Sequence, residues 1–457
     1  MAHQASAAFR LMAMVALLAL PGSALAQGES ADAIRARDDR IEDLERKLEV
    51  LADELSRVRT QVAVPDEPEL KSVYGLGPAA SKIYGVERGL SIGGYGEAFY
   101  TNFIGNADSG SDSVGGTSIS DRQLDRSDFL RMVLYFGYKF SDRIVFNSEI
   151  EFEHASAGGS TLSAGSGSVS VEFAALDFLW NQYVNARAGM LLLPMGFVNE
   201  VHEPPFFFGV QRPVTEQRII PSTWRENGVG IFGNLAETVE YRAYLVTGFN
   251  ARGFSDAGIR GGRQQGNRAL AEDLAAVVRV DWTPDVVPGL LLGGSFYHGD
   301  SGQDQEVGGV DIPDAGLTVF ELHGQYRRGP LEARALFAMS FLSDARDLSL
   351  ALARPLNRPV ADEMLGGYAE VAYDIWPLLF GDAGKSLSPF LRVEYVDTQY
   401  EVPSGFSANR VQSFWLFTPG IQFKPHPNVV LKLEYRNFSP RDGEIPDELS
   451  IGMGFAF

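Results

Sequence analysis

From residue 89 to the last residue, Phe457, apolar and polar side chains alternate with a period of two, and this pattern limits the chain to strands. Successive side chains of a strand point to opposite faces. The clearest stretch places Leu130, Met132, Leu134, Phe136, Tyr138 and Phe140 on one face and Arg131, Tyr135, Gly137 and Lys139 on the other. After the short turn Ser141-Asp142-Arg143, the apolar face continues through Ile144, Phe146, Ile150 and Phe152, and the polar face through Asn147, Glu149, Glu151 and Glu153. A soluble sandwich would alternate in the same way, so a second signal is needed to separate it from a barrel.

The rhythm of the connections supplies that signal. About sixteen strands are predicted, and long connections near 104–126, 155–168, 194–225, 251–271, 299–315, 342–363, 399–410 and 439–446 take turns with tight ones. Only the turn near 376–386 is longer than its place in the series suggests. Membrane barrels keep this asymmetry, with long outer loops and short periplasmic turns. Aromatic residues fall where such strands would meet the bilayer surfaces: Phe140, Trp180, Trp282, Tyr326 and Phe423 near the short turns, and Phe103, Phe152, Phe249, Phe341 and Tyr395 near the long loops. The expected fold class is therefore all-β, an antiparallel transmembrane β-barrel of about 16 strands over residues 89–457.

The chain ends carry addresses. Leu449, Ile451, Met453, Phe455 and Phe457 share one face of the last strand. A terminal phenylalanine on such a strand resembles the signal read by the barrel assembly machinery, which makes Phe457 the expected assembly signal and that machinery an expected partner. At the other end, the aliphatic run 11–20 is broken by Pro21 and Gly22 and followed by Ala24-Leu25-Ala26, the layout of a secretory signal over residues 1–26. The expected location is the outer membrane of a Gram-negative bacterium, with its lipids as partners.

Residues 27–64 read as an α-helical coiled coil. Ile34, Ile41, Leu48, Leu55 and Val62 recur every seven residues, with Leu44, Leu51 and Val58 between them. So narrow an apolar stripe requires partner helices. Arg40-Ile41-Glu42-Asp43-Leu44-Glu45 resembles the Arg-h-x-x-h-Glu signature of short parallel trimers, in which Arg40 and Glu45 pair across helices and Ile41 and Leu44 fill the seam. A homotrimer is favoured over a dimer. Pro65 and Pro68 end the helix, and residues 65–88, without periodicity, read as a linker leading to the barrel rim.

Three stretches support a family resemblance: Tyr74-Gly75-Leu76-Gly77-Pro78-Ala79-Ala80-Ser81-Lys82, Gly93-Gly94-Tyr95-Gly96-Glu97, and Pro221-Ser222-Thr223-Trp224-Arg225-Glu226-Asn227-Gly228-Val229-Gly230. With these the chain resembles the phosphate-selective porin O and P family over most of residues 74–457. The resemblance implies a sixteen-stranded trimeric channel with a pore in each protomer, an anion or phosphate preference, and a third long loop folded inward. The residues of that loop agree independently. Its apolar Pro204, Pro205, Phe206, Phe207, Phe208, Ile219 and Ile220 would form an unusual patch if exposed. Folded inward, its charges Glu200, Glu203, Arg212, Arg218 and Arg225, with His202 and Glu216, can line a constriction.

The residues expected to line the pore are Arg131, Lys139, Glu149, Glu151, Arg187, Arg279, Glu321, Arg334, Arg392, Lys432 and Arg436. They mix both charges, unlike the basic ladder of phosphate-selective members, and a pore field comes only from the uncompensated remainder. The expected function is passive diffusion of small polar or ionic solutes. The alternative is a structural barrel whose coiled coil tethers the envelope to peptidoglycan. An enzyme is not expected, because none of the five histidines after residue 26 sits in a nucleophile motif and no metal or phosphate motif occurs in a fitting context. No cofactor is expected. The net charge of -20 argues against nucleic acid.

Overall fold

The computed structural model of the chain describes residues 40, 42–47, 49–50, 70–105, 124–155, 167–381 and 384–457. It divides into two compact units, Met1–Arg59 and Thr60–Phe457. In the first, the described residues are helical, Asp43 accepts hydrogen bonds from Arg46 at 2.8 Å and Lys47 at 2.6 Å, and Leu44 is 54% exposed. Arg40 and Glu45 lie on this helical stretch. The secretory signal, Ile41 and the other seam residues lie outside the described residues.

The second unit is a closed sixteen-stranded antiparallel barrel. Its first half contains β1 (Gly89–Ile104), β2 (Arg126–Ser141), β3 (Ile144–Glu153), β4 (Val169–Leu179), β5 (Asn185–Leu192), β6 (Arg225–Ala236), β7 (Val239–Thr247), β8 (Leu274–Trp282) and β9 (Leu290–Gly299). A small hairpin, β10 (Glu306–Val307) and β11 (Val310–Asp311), stands outside the barrel sheet. The barrel resumes with β12 (Leu317–Arg328), β13 (Leu331–Leu342), β14 (Glu363–Tyr373), β15 (Ser386–Glu401), β16 (Ser413–His426), β17 (Val429–Pro440) and β18 (Asp447–Ala456). Each barrel strand pairs with the barrel strands before and after it, β9 with β12 across the hairpin, and β1 pairs with β18 to close the ring. Phe457 completes the seam, donating its N–H to Gly94 O at 2.8 Å and accepting from Gly94 N at 3.0 Å. Closure leaves no open sheet edge, as hydrocarbon surroundings demand.

The two faces of the wall are inverted relative to a soluble protein. On β8, Leu274, Val278, Val280 and Trp282 are exposed on the outside, whereas Arg279 and Asp281 are buried on the inside. The last strand repeats this, with Leu449, Ile451, Met453 and Phe457 outward and Ser450 inward. An apolar exterior around a charged interior is stable only with lipid outside. Long and short connections alternate around the whole ring, and the exceptional one, 374–385, contains the short helix α3 (Trp376–Phe380), numbered after α1 (Thr215–Arg218) and α2 (Ala345–Ala351).

Two local features depart from simple alternation. In β4, Glu149 is opposite Phe173 but Ile150 is opposite Val171, so Glu172 is an extra residue. This bulge reverses the phase of the strand. Val169 and Val171 face outward, whereas Glu172, Phe173, Ala175 and Asp177 are all buried inside, which accounts for Asp177 sharing a sequence period with apolar residues. The second departure corrects an expectation: Phe249 is not part of an outer aromatic girdle. It is 1% exposed, with its ring 4.7 Å from Trp224 and 5.6 Å from Tyr297. It follows the end of β7 and belongs to the large apolar cluster beneath the long loops.

Candidate functional site

The lumen is the candidate site, and two segments narrow it. The first is the connection 193–224 between β5 and β6, which folds inside the wall. Wall side chains hold its backbone at successive points. Arg334 donates to Phe206 O at 2.9 Å, Lys432 to Phe207 O at 3.0 Å, and Arg392 to Phe208 O at 2.6 Å. Glu434 accepts from the N–H groups of Val210 and Gln211, both at 2.9 Å, and Glu394 accepts from Thr215 N at 2.5 Å. Within the loop, Glu216 accepts from Val198 N at 2.7 Å and from the Tyr368 hydroxyl at 2.6 Å. Inward wall charges thus satisfy loop backbone groups that would otherwise be unpaired.

The second segment is 70–88. Read from sequence as a linker to the rim, it instead runs inside the barrel. Leu76, Ala79, Ala80, Ile83 and Val86 are buried. Asn147 donates to Ala80 O at 2.9 Å, Lys139 to Val86 O at 2.8 Å, and the Tyr84 hydroxyl to Asp177 at 2.5 Å. Glycines explain why the backbone can press so close. A Cβ on Gly77 would lie 2.5 Å from Glu203 Oε1, and one on Gly75, whose φ is +79°, 2.0 Å from Arg242 Nη1. Glu203 of the loop accepts from Ala79 N at 2.9 Å, so the two segments brace each other. Among the expected constriction residues, Glu200, Glu203, Arg212, Arg218 and Arg225 are all buried inside the barrel.

The wall charges pair extensively. Arg131 meets Glu97 at 2.7 Å and Glu151 at 3.2 Å, Arg187 meets Asp177 at 2.7 Å, and Arg392 meets Glu370 at 2.6 Å. Arg334 pairs with Glu332 at 2.6 Å and Arg436 with Glu448 at 2.6 Å. Arg279 and Arg242 share Asp281, and Arg242 also binds Glu200 at 2.7 Å. Glu321 and Asp281 flank the His323 ring at 2.9 Å each. Most of the residues expected to line the pore are buried on the inner face and are paired with wall carboxylates outside that set, apart from the Arg131–Glu151 pair. Lys139 is half-buried at the short-turn end, 3.7 Å from Asp142.

The uncompensated groups are mostly elsewhere. Arg212 is buried with Nε and Nη2 lacking hydrogen-bond partners. In the β7–β8 connection, Arg260 donates to Ser222 O at 2.6 Å and Arg263 to the same oxygen at 2.7 Å. Among the described residues, none of Arg212, Arg260 and Arg263 forms an ion pair. Burial, and after it the neighbouring Arg263 and Arg212, holds the Arg260 guanidinium well below its usual value. Arg218, Arg260 and Arg263 line a cavity of about 360 Å³ that contains no carboxylate. A second cavity of about 430 Å³ is lined by Lys71, Arg327 and Arg334, and there both arginines pair with Glu332, at 2.9 and 2.6 Å. The sequence reading missed Arg260 and Arg263. The signal was available, since residues 257–271 hold three arginines and no acid.

Geometry and fold together define a porin-type transmembrane barrel with an inward loop. OmpF of Salmonella typhi, solved in complex with daunomycin, shares the barrel fold at a TM-score of 0.52, with 12% identity over 82% of this chain and 99% of that chain. The outer membrane channel DcaP of Acinetobacter baumannii aligns at a TM-score of 0.49 and 13% identity, over 80% of this chain and 97% of that one. An Aquifex aeolicus (strain VF5) protein, described as uncharacterized, is 37% identical over 388 residues, 83% of this chain and 82% of that protein. The chain belongs to the same family as that protein. No protein-family model matches it.

Proposed function

We propose that this protein is an outer-membrane porin whose lumen admits small polar and ionic solutes by passive diffusion, with a preference for anions. The observation that carries this reading is the cavity lined by Arg218, Arg260 and Arg263, which holds no carboxylate. Most wall arginines are neutralised by wall carboxylates, Arg327 and Arg334 by Glu332 among them, so the net field along the path falls to Arg212, Arg260 and Arg263. Low-dielectric walls raise the local concentration of counter-ions, so anions gain beside these arginines. A phosphate preference is a narrower form of the same reading, supported by the three sequence stretches that resemble the phosphate-selective porins. The protein acts by diffusion and not by catalysis.

The working unit is a homotrimer held by the helical segment around Arg40, Ile41, Leu44 and Glu45; the exposed Leu44 supports this, because an apolar seam residue needs a partner helix. Export by the segment 1–26 and insertion through the terminal Phe457 by the barrel assembly machinery complete the reading. Proteoliposome swelling tests it. An anionic sugar acid should enter faster than an amino sugar of similar size. Equal exclusion of both would overturn the channel reading and favour a barrel that serves to tether the envelope to peptidoglycan through its coiled coil.

A further inference from the structure

Three side chains from three separate elements converge in the wall behind the inward loop. Glu149 comes from β3, Glu172 from the bulge of β4, and His202 from the loop, and one ligand atom of each lies within 4.8 Å of the others. All three are at most 1% exposed.

The hydrogen bonding around them is incomplete in an informative way. His202 Nδ1 lies 3.1 Å from Asn199 O, and its Nε2 lies 3.2 Å from Glu149 Oε1. Both neighbours are acceptors, and a neutral imidazole has a single N–H. Once Nδ1–H is given to Asn199, the Nε2 lone pair faces the carboxylate of Glu149. A positive species between them resolves the clash. Glu149 Oε2 and Glu172 Oε2, meanwhile, are buried without any hydrogen-bond partner, which is costly for a carboxylate oxygen.

The outer contacts match those that orient metal ligands. Asn199 O fixes the His202 tautomer, Arg225 holds the other oxygen of Glu172, and Tyr95 donates to Glu149 at 3.3 Å. One imidazole nitrogen and two carboxylates suit a borderline first-row cation. Bond lengths of about 2.0–2.2 Å require the donors to draw in from their present spread, which side-chain rotation can supply. We infer that Glu149, Glu172 and His202 form a binding site for a divalent transition-metal ion, which pins the inward loop to the β3–β4 wall. The inference is independent of which solute crosses the lumen. The β4 bulge gains a purpose from it, because Glu172 is the residue that the bulge adds to the inner face.

The test uses the full-length protein in detergent micelles, stripped with chelator and titrated with Zn²⁺ alone by calorimetry, with bound metal counted after desalting. The expected result is one ion per chain, with affinity at least about tenfold weaker in H202Q and in E172Q. A Co²⁺-loaded sample should show d–d absorption that changes in H202Q, which reports ligation by that nitrogen. If H202Q does not fold, E172Q and the Co²⁺ spectrum of the natural protein still decide the matter. Absence of stoichiometric binding in the natural protein, or binding unchanged in both variants, would overturn the site and leave a proton on Glu149 as the bridging species. Neither outcome depends on conduction, so failure here is distinct from failure of the porin reading.

Discussion

Glu203 Oε1 accepts the backbone N–H of Ala79 at 2.9 Å and that of Ala80 at 3.4 Å, and these bonds join the two segments that narrow the barrel. Glu203 belongs to the inward loop and Ala79 to the segment that precedes β1. Neither is held by the wall alone; each forms part of the other's support.

The junction gives a direct handle on pore width. Gly77→Val would place carbon at 2.5 Å from Glu203 Oε1, so the Glu203 carboxylate must give way and its bond to Ala79, which braces the 70–88 segment, is lost. Single-channel conductance of G77V should rise several-fold above the natural protein, with the barrel still folded. Unchanged conductance would mean that the segment does not bound the path.

The same contact should respond to pH. Burial pushes the Glu203 carboxyl up to about 8, and the nearby Glu149 adds to the shift against the hydrogen bonds from Ala79 and Ala80. The Tyr135 hydroxyl faces the same group. Because the folded value lies above the ordinary carboxylate one, the stabilising contribution is full at low pH and is lost as pH rises through about 8. Hydrogen-exchange protection of residues 74–86 should therefore fall as pH rises from the ordinary carboxylate range to about 8, and E203Q should flatten that dependence. Protection that grows with pH would contradict this account.

Asp177 anchors a different part of the lumen. Its carboxylate holds Arg187 at 2.7 Å and Tyr84 at 2.5 Å, and both members of the ion pair are almost wholly buried. Asp177→Ala leaves an unpaired guanidinium and should cost about 3–5 kcal/mol in denaturant unfolding, whereas replacing both partners by apolar residues should cost less. Equal losses in the single and double variants would refute the pairing argument.

Much of this architecture is legible in the sequence, and the exceptions have identifiable causes. The outward residues of β2, β3 and β18 follow from a period of two, as do the inward Arg131, Arg334 and Lys432, because lipid and lumen impose opposite demands on adjacent residues. Segment 70–88 has no period to read, since it is held by backbone contacts and glycine clearances at Gly75 and Gly77. The facing of Asp177 depends on the single extra residue Glu172, which period counting cannot see. Phe249 follows a strand as a girdle residue would, and only the folding of the long loops over it shows that it is internal. The balance of pore charge was hidden for another reason. It depends on which arginines find carboxylates, and that is a matter of three-dimensional pairing.

The measurement that bears most directly on the anion-preferring pore is the reversal potential of single channels in a KCl gradient, for the natural protein and for R260Q/R263Q. The account predicts a chloride-preferring sign in the natural protein and a clear shift toward cations in the variant. A cation-preferring natural channel, or a reversal potential untouched by removing both arginines, would contradict it.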